Sequence, residues 1–429
     1  MARNNQTKMS RTEQHPNFDR FLCDTWWYGL TQRVDDKKFE ELARLRAQQG
    51  FTTVQMVVGI PPEVGPENPN ASSAVGPAWQ LNGEFNQDYL KHARDRVEYL
   101  NSLGLSAILY GAWGQQIEWL GEKKMKAWWS EIVKNFDDLD IMYCLTGESD
   151  IWVGEEKKLL PDKSTGELNT VRLMPFLHPR IVYMGKRLIN MVNQPLNEGR
   201  KTERRSKWSR VLTHVSSLTD KPIFIHVLPN MTSEEAVNNP NLLDAITVQT
   251  GHSETARRLL WELPLESVKE NPSKPFINLE PWYEGITGRF KTDDQLYAYW
   301  VSMMAGAYAY CYGAHGVWNA GDGKFLGHWG KQTMGEAMKL KTPHLLGASH
   351  KFFLDSNFAN YSTVEVEEEN DELIKITRAN ADGNTVHYIP DMSKVEQLPG
   401  GDIFSPTKGK LIKNPPKSGQ VVIISSYQK

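Results

Sequence analysis

A (β/α)8 TIM barrel followed by a small C-terminal antiparallel β-sandwich is the α/β fold class that three features of this 429-residue sequence predict. Short runs rich in Val, Ile, Leu and aromatic residues alternate with amphipathic helical stretches, the pattern of a parallel sheet buried on both faces. Polar and aromatic residues cluster after nearly every run, as they do on the catalytic face of a barrel. From about Phe352 the pattern changes to alternating strands separated by turn dipeptides such as Asp382-Gly383 and Pro399-Gly400. No glycine-rich phosphate loop follows any run, which argues against a doubly wound sheet.

Residues 1–17 are polar and read as a loose N-terminal arm, 18–350 as the barrel and 351–429 as the sandwich. The first strand candidate is Phe21 to Trp27; a helix from about Val34 repeats Phe39, Leu42 and Leu45 at helical spacing and stops at Gly50. The β-branched run Phe51 to Gly59 follows. Leu90, Ala93, Val97 and Leu100 mark the next helix, closed by Gly104 before the strand Leu105 to Tyr110. A helix over Met125 to Phe136 leads to a fourth strand, Ile141 to Thr146, and then to a long insertion from Ile151 to about Leu177. Helices are expected at Pro179 to Asn193 and Ser206 to Leu218, with strands at Pro222 to Val227, Ala245 to Gln249 and Pro275 to Leu279. Asp293 and Asp294 suit the start of a helix at Thr292, and Gly316 to Trp318 is read as the eighth strand. Three alternating or short apolar stretches, near Tyr361, Leu373 and Gln420, supply the sandwich.

The composition is that of a globular protein: 40% hydrophobic and 24% charged residues, with a net charge of -3 that gives no footprint for nucleic acid. The basic run Gly199 to Lys207 reads as a solvated helix–helix loop. Cys23, Cys144 and Cys311 lie far apart in apolar segments and read as buried thiols. No apolar run is long enough to suggest a membrane span, and nothing calls for a cofactor or metal. The first ten residues have no apolar signal region, which reads as cytoplasmic; a chain whose export signal had been removed would read the same.

Two apolar runs end at a glutamate: Tyr143 to Glu148 and Phe276 to Glu280. Carboxylates at the ends of the fourth and seventh strands of a barrel can reach one central pocket from opposite sides. Hydrolysis of a glycosidic bond needs one carboxylic acid to protonate the leaving oxygen and one carboxylate to attack carbon or activate water. Glu148 and Glu280 are therefore the candidate catalytic pair; each taken alone is equally well a helix cap or an ion-pair partner. Glu284, four residues beyond Glu280, is the reserve nucleophile or a substrate contact. Of the 14 tryptophans, Trp26, Trp27, Trp113, Trp152, Trp282 and Trp318 fall at or just past strand ends, where flat rings suit sugar faces. Asp24, Gln115, Gln116, Gln249, His252 and Asn319 are placed to bond hydroxyls, and Tyr283 sits beside Trp282. A metal-dependent hydrolase using His226, His252 and Asp322 is a rival reading, weakened by a first strand that offers no histidine pair. A non-catalytic carbohydrate-binding barrel is another, and the absence of a Gly-x-Ser-x-Gly elbow argues against a serine hydrolase.

Four motifs resemble the apiosidase-like glycoside hydrolases of glycoside hydrolase family 140 and its relatives: Asp24 to Trp27, Leu145 to Glu148, Asn278 to Gly285, and Tyr312 to Trp318. The resemblance implies a barrel with a C-terminal β-sandwich, acting on an oligo- or polysaccharide without a cofactor. It makes Glu148 the general acid/base and Glu280 the nucleophile of a retaining enzyme, with carboxyls about 5–5.5 Å apart. It puts Asp24, Trp26, His315 and Trp318 around the terminal sugar, a pentofuranose such as apiose or arabinose. The fourth-strand motif in relatives often reads Gly-Gly-Asp, whereas this chain has Thr-Gly-Glu, a carboxyl longer by one methylene.

Overall fold

The computed structural model describes residues 17–153, 197–229 and 231–426. The N-terminal arm up to residue 16, most of the insertion after the fourth strand, and the helix expected at 179–193 lie outside the described residues.

Eight parallel strands form one sheet: β1 (Leu22–Thr25), β2 (Thr53–Val57), β3 (Ser106–Tyr110), β4 (Ile141–Cys144), β5 (Ile223–Phe224), β6 (Ile246–Gln249), β7 (Phe276–Glu280) and β8 (Ala309–Tyr312). Their spatial order, β5-β4-β3-β2-β1-β8-β7-β6, is that of a barrel wound strand by strand. The seam between β5 and β6 is joined by a loop and not by a strand ladder. Asp244 N–H donates to the Ile223 carbonyl at 3.0 Å, and Ser233 lies over β6 with its N–H on the Thr247 carbonyl at 2.9 Å.

The helices between strands form for local reasons. In α1 (Asp36–Gln48) the Asp35 carboxylate caps the first turn through Lys38 N–H at 2.8 Å, and Phe39 and Leu42 are buried at the expected spacing. In α2 (Gln87–Ser102) Asn86 caps Tyr89 N–H, and Leu90, Ala93, Val97 and Leu100 form the inner stripe. Then follow α3 (Gln116–Leu120), α4 (Glu122–Phe136), α5 (Glu198–Ser216), α6 (Leu259–Glu270), α7 (Thr292–Ala305), α8 (Met334–Ala337) and α9 (Thr342–Asp355).

Three expectations need correction. The basic run 199–207 is not a loop but the first half of α5, where its charges meet acids on neighbouring helices: Lys207 lies 2.7 Å from Glu118, and Arg210 just beyond pairs with Glu122 at 2.8 Å. The eighth strand is Ala309–Tyr312, not Gly316 to Trp318, which lies in the turn after it. The helix α7 is buried almost all round, so its apolar run merges in sequence with that of β8, and only Gly306 at φ 115° separates them. Phe352 opens no strand; it lies in α9.

The C-terminal strands are antiparallel: β9 (Thr363–Glu369), β10 (Glu372–Ala379), β11 (Thr385–Ile389), β12 (Asp402–Ser405), β13 (Lys410–Ile412) and β14 (Val421–Ser425), hydrogen-bonded as one sheet of six. One face packs on α7 and α9, with Phe352 stacked on Phe404 at 4.1 Å and Trp300 on Tyr388 at 6.1 Å. The other holds a separate small core of Ile389, Met392, Val421 and Ile423. The period-2 alternation of β10, β11 and β14 supplies both faces. No helix among the described residues is long and apolar enough to cross a membrane.

Candidate active site

The two glutamates reach the same cleft by different backbone devices. Glu280 closes β7, but the register against β6 slips just before it: Val248 faces Asn278 while Gln249 faces Glu280, leaving Leu279 as the extra residue of a bulge. Polar groups inside the barrel fix this bulge. Gln55 Nε2 donates to the Leu279 carbonyl at 3.0 Å and to Thr25 Oγ1 at 2.7 Å, while Tyr110 O–H donates to Gln55 Oε1 at 2.9 Å. Asn278 Oδ1 accepts from Glu280 N–H at 3.3 Å. Bulges beside active sites re-aim a side chain in this way.

Glu148 lies beyond the end of β4 in a left-handed turn, φ 42°, a conformation a non-glycine residue adopts at a cost of about 1–3 kcal/mol. Gly147 before it is required by contact. A Cβ there would lie 2.3 Å from the Trp113 ring, and that indole is what holds the acid, donating Nε1–H to Glu148 Oε2 at 2.9 Å.

Two histidines frame Glu280. Tyr283 N–H donates to His252 Nδ1 at 3.3 Å, so neutral His252 carries its proton on Nε2, which donates to Glu280 Oε1 at 2.9 Å. His226 repeats the arrangement: Glu148 N–H donates to its Nδ1 at 3.3 Å, and its Nε2 lies 3.5 Å from Glu280 Oε2. Full burial holds the His226 pKa down to about 4, so the ring is neutral at physiological pH and offers an N–H, not a charge.

These surroundings drive the two carboxyls apart. Burial first, then the negative charge of Glu280, push the Glu148 pKa up to about 8, against the opposing hydrogen bonds of Trp113 and Gln249. Burial acts on Glu280 in the same upward sense, but the His252 hydrogen bond and the His252, His226 and Tyr283 groups outweigh it and hold its pKa below the ordinary carboxylate range. At neutral pH Glu148 is therefore protonated and Glu280 ionised.

The other expected site residues divide into two groups. Trp27 packs edge-on against Tyr110 at 4.8 Å and Trp113 at 5.3 Å and lies tilted to His226 at 6.3 Å, so it joins the aromatic cluster beside that imidazole. Tyr283 faces His252 at 4.5 Å and Trp318 at 6.3 Å, and His315 adjoins Trp318 at 5.9 Å. Trp318 Nε1, Gln249 Oε1 and both polar atoms of Gln115 are buried and bond no described residue. Unpaired polar atoms of this number are donors and acceptors that a polar ligand can satisfy.

The second group faces the helices, and here the expected substrate contacts need correction. Asp24 is fully buried, with Arg46 Nε of α1 at 2.6 Å and Trp26 Nε1 at 2.7 Å on one oxygen and Thr25 N–H on the other. Trp26 rests edge-on against Phe39 of the same helix. Trp282 stacks on Phe290 at 4.7 Å and donates Nε1–H to the Ser253 carbonyl. Glu284 spends both oxygens on hydroxyls, accepting from Tyr312 at 2.5 Å and Thr342 at 2.8 Å, with burial holding its pKa up. Asn319 closes its own turn through Gly316 N–H, and Gln116 donates to the Ile60 carbonyl, leaving only Oε1 free. Trp26 and Trp27 both follow the end of β1, and the chain turns between them, Trp26 N–H still on the Gln55 carbonyl at 2.9 Å and Trp27 already in the turn. Trp152 follows Glu148 at the last described turn before residue 154, with φ 53°.

Of the residues considered for a metal, Asp322 pairs with Arg33 at 3.2 Å, away from His226 and His252, which both turn to Glu280. Sequence reasoning missed His226 as a partner of Glu280, and missed Gln55 and Tyr110. The signals were a histidine at the end of strand five and a glutamine inside an apolar run.

The family model for the apiosidase-like catalytic domain matches residues 4–359. No curated protein matches the chain. Among solved structures, one described as a glycoside hydrolase is 16% identical with a TM-score of 0.70, covering 96% of this chain and 93% of that one. A glycoside hydrolase family 5 protein from Bacteroides vulgatus is also 16% identical, with a TM-score of 0.68 and coverages of 95% and 89%. A putative glycoside hydrolase from the same organism has 12% identity and a TM-score of 0.57 over 95% and 78%. These likenesses are of fold alone. The chain belongs to the apiosidase-like catalytic-domain family of glycoside hydrolases.

Proposed function

We propose that this glycosidase is a retaining, exo-acting enzyme that releases a terminal pentofuranosyl residue, such as apiose or arabinofuranose, from a plant or microbial glycan. The observation that carries the two-carboxylate part of the reading is that one imidazole joins the pair, His226 accepting the Glu148 N–H on Nδ1 at 3.3 Å and placing Nε2 3.5 Å from Glu280 Oε2. The Glu148 proton passes to the glycosidic oxygen as the bond from that oxygen to the anomeric carbon breaks. A Glu280 oxygen, presented by the two imidazole N–H groups, bonds to that carbon and gives a glycosyl ester. With the charge of Glu280 gone, a main cause of the raised Glu148 pKa goes too, and Glu148 becomes a base able to take a proton from water. The water oxygen displaces Glu280, and both carboxyls return to their starting states.

The pentofuranose assignment is supported by the family alone. The exo assignment rests on the sequence alone, in the length of the segment between β4 and α5.

The test is a panel of 4-nitrophenyl pentofuranosides and hexopyranosides with the wild type, Glu148→Gln and Glu280→Gln. Each substitution is expected to lower kcat by at least about 1000-fold, and NMR of the first-formed product to show the substrate's own anomeric configuration. Turnover untouched by both substitutions refutes the pair. An inverted product moves Glu280 from nucleophile to base. Sugar bound without turnover of any substrate favours a non-catalytic carbohydrate-binding protein.

A further inference from the structure

Outside the carboxylate pair, one cluster joins two loops far apart in sequence. Glu63, in the loop after β2, has a left-handed backbone at φ 65°. Its carboxylate reaches the loop after β8, where Trp329 Nε1–H donates to Oε1 at 2.6 Å and His328 Nε2 lies 3.2 Å from Oε2. Both loops are fastened beneath. The Tyr28 hydroxyl donates to the Pro62 carbonyl, Thr287 N–H donates to the Trp329 carbonyl at 2.5 Å, and Arg33 donates to the Ala320 carbonyl at 3.0 Å. A strained non-glycine backbone persists where its surroundings over-determine it, and such positions gather at ligand clamps.

The cluster keeps capacity to spare. An ionised carboxylate has about four acceptor positions, of which one on each oxygen is taken. The Glu63 side chain is 20% exposed and that of His328 25%, so the remaining positions are reachable. Trp329 is half-buried beside them, its N–H fixed by Glu63 and its ring face apolar. The next residue, Gly330, packs on the site: a Cβ there would lie 2.7 Å from the His315 ring, which adjoins Trp318 and, through it, Tyr283. In the sheet, β1 alone separates β2 from β8, so the Glu63–Trp329 bridge joins the loops that follow the two neighbours of β1.

We propose that Glu63, held by His328 and Trp329, is a sugar-recognition group that accepts hydrogen bonds from two neighbouring hydroxyls of the substrate, with Trp329 as the flat platform beside them. This rests on the glycosidase reading and deepens it by assigning a hydroxyl-specificity residue.

The test compares wild type, Glu63→Gln and Trp329→Phe on whichever 4-nitrophenyl glycoside of the panel is turned over fastest, and on its ring-deoxy analogues. Glu63→Gln is expected to raise KM by about 10-fold or more with kcat within about threefold, because the lost bonds serve ground state and transition state alike. An analogue lacking the recognised hydroxyl should suffer the same loss in the wild type and no further loss in Glu63→Gln. Trp329→Phe keeps a ring and loses the N–H, so a smaller KM rise is expected; it carries the test if Glu63→Gln does not fold. A KM within twofold of wild type in both variants, while Glu280→Gln abolishes turnover, overturns the proposal and leaves the glycosidase reading standing. A fall in kcat alone also overturns it, since Glu63 would then act only on the acid. No turnover by the wild type, with no monosaccharide bound by Glu280→Gln, overturns both.

Discussion

A buried acid that keeps its proton to about pH 8 must weaken the fold in alkaline solution, and Glu148→Gln should remove that weakness. Because the folded-state pKa, about 8, lies above the ordinary 4.5, the folded chain holds a proton through this window that the unfolded chain has released. Its stabilising contribution is complete below pH 4.5 and is lost as pH rises toward 8. The shift of about 3.5 units, at about 1.36 kcal/mol each, sets an upper bound near 5 kcal/mol. Glu148 is partly exposed at the cleft floor, and solvent screening reduces this to about 2–3 kcal/mol. Glutamine has no proton to lose, and its amide oxygen still accepts the Trp113 N–H. For a chain of this size, about 1–2 °C per kcal/mol makes the expected gain in Tm about 3–5 °C at pH 9 and near zero at pH 5. Thermal unfolding of both proteins from pH 5 to 9 checks this. Parallel Tm curves would refute the claim that Glu148 carries a retained proton, as would a uniform loss of stability in the variant.

The remaining predictions concern what holds each carboxyl in place. His252→Ala removes the N–H on Glu280 Oε1, so the Glu280 pKa should rise and the acid limb of kcat/KM move to higher pH, with activity at pH 6 down about 10–100-fold; an unmoved acid limb contradicts the role. Glu284→Gln should cost about 1–3 kcal/mol in denaturant unfolding, because one buried hydroxyl loses its acceptor, yet leave kcat within about threefold; loss of kcat in a folded variant would return Glu284 to the chemistry. Gly147→Ala puts a methyl 2.3 Å from the Trp113 ring and should cost about 1–3 kcal/mol and about 10-fold in kcat, checked by unfolding and initial rates; wild-type values for both would show that the indole can move freely.

Period and punctuation made the barrel legible, because each amphipathic helix and each buried strand carries its own local signal. The signal failed where two buried elements adjoin. The residues of α7 and β8 form one apolar stretch, and a glycine inside it reads as a packing residue until its positive φ is known. At the site, Glu148 and Glu280 stood out in sequence as a pair that follows two apolar runs, since either alone reads equally well as a cap or an ion-pair partner. Which side each neighbour faces was not legible. Trp26 and Trp27 are equivalent in sequence, yet one meets Phe39 and the other meets His226. Glu280 and Glu284 were separable only by partners, imidazoles for one and neutral hydroxyls for the other.

The Thr146-Gly147-Glu148 turn carries the furthest consequence, because its residues take roles opposite to those their types suggest. A glycine before a loop is ordinarily assigned the left-handed backbone, leaving its neighbour in an ordinary conformation. Here the positive φ belongs to Glu148, and Gly147 is needed only because an indole lies where its Cβ would be. The strain therefore falls on the residue that also bears the buried proton. Both costs sit on one side chain and both act against folding, the backbone cost at every pH and the proton cost increasingly above pH 4.5. Glu148→Gly should relieve the backbone cost at every pH but strips the Trp113 N–H of its acceptor, whereas Glu148→Gln keeps the acceptor and the strain, so the difference between the two variants at pH 5 reports the balance of those two opposed effects, free of the charge.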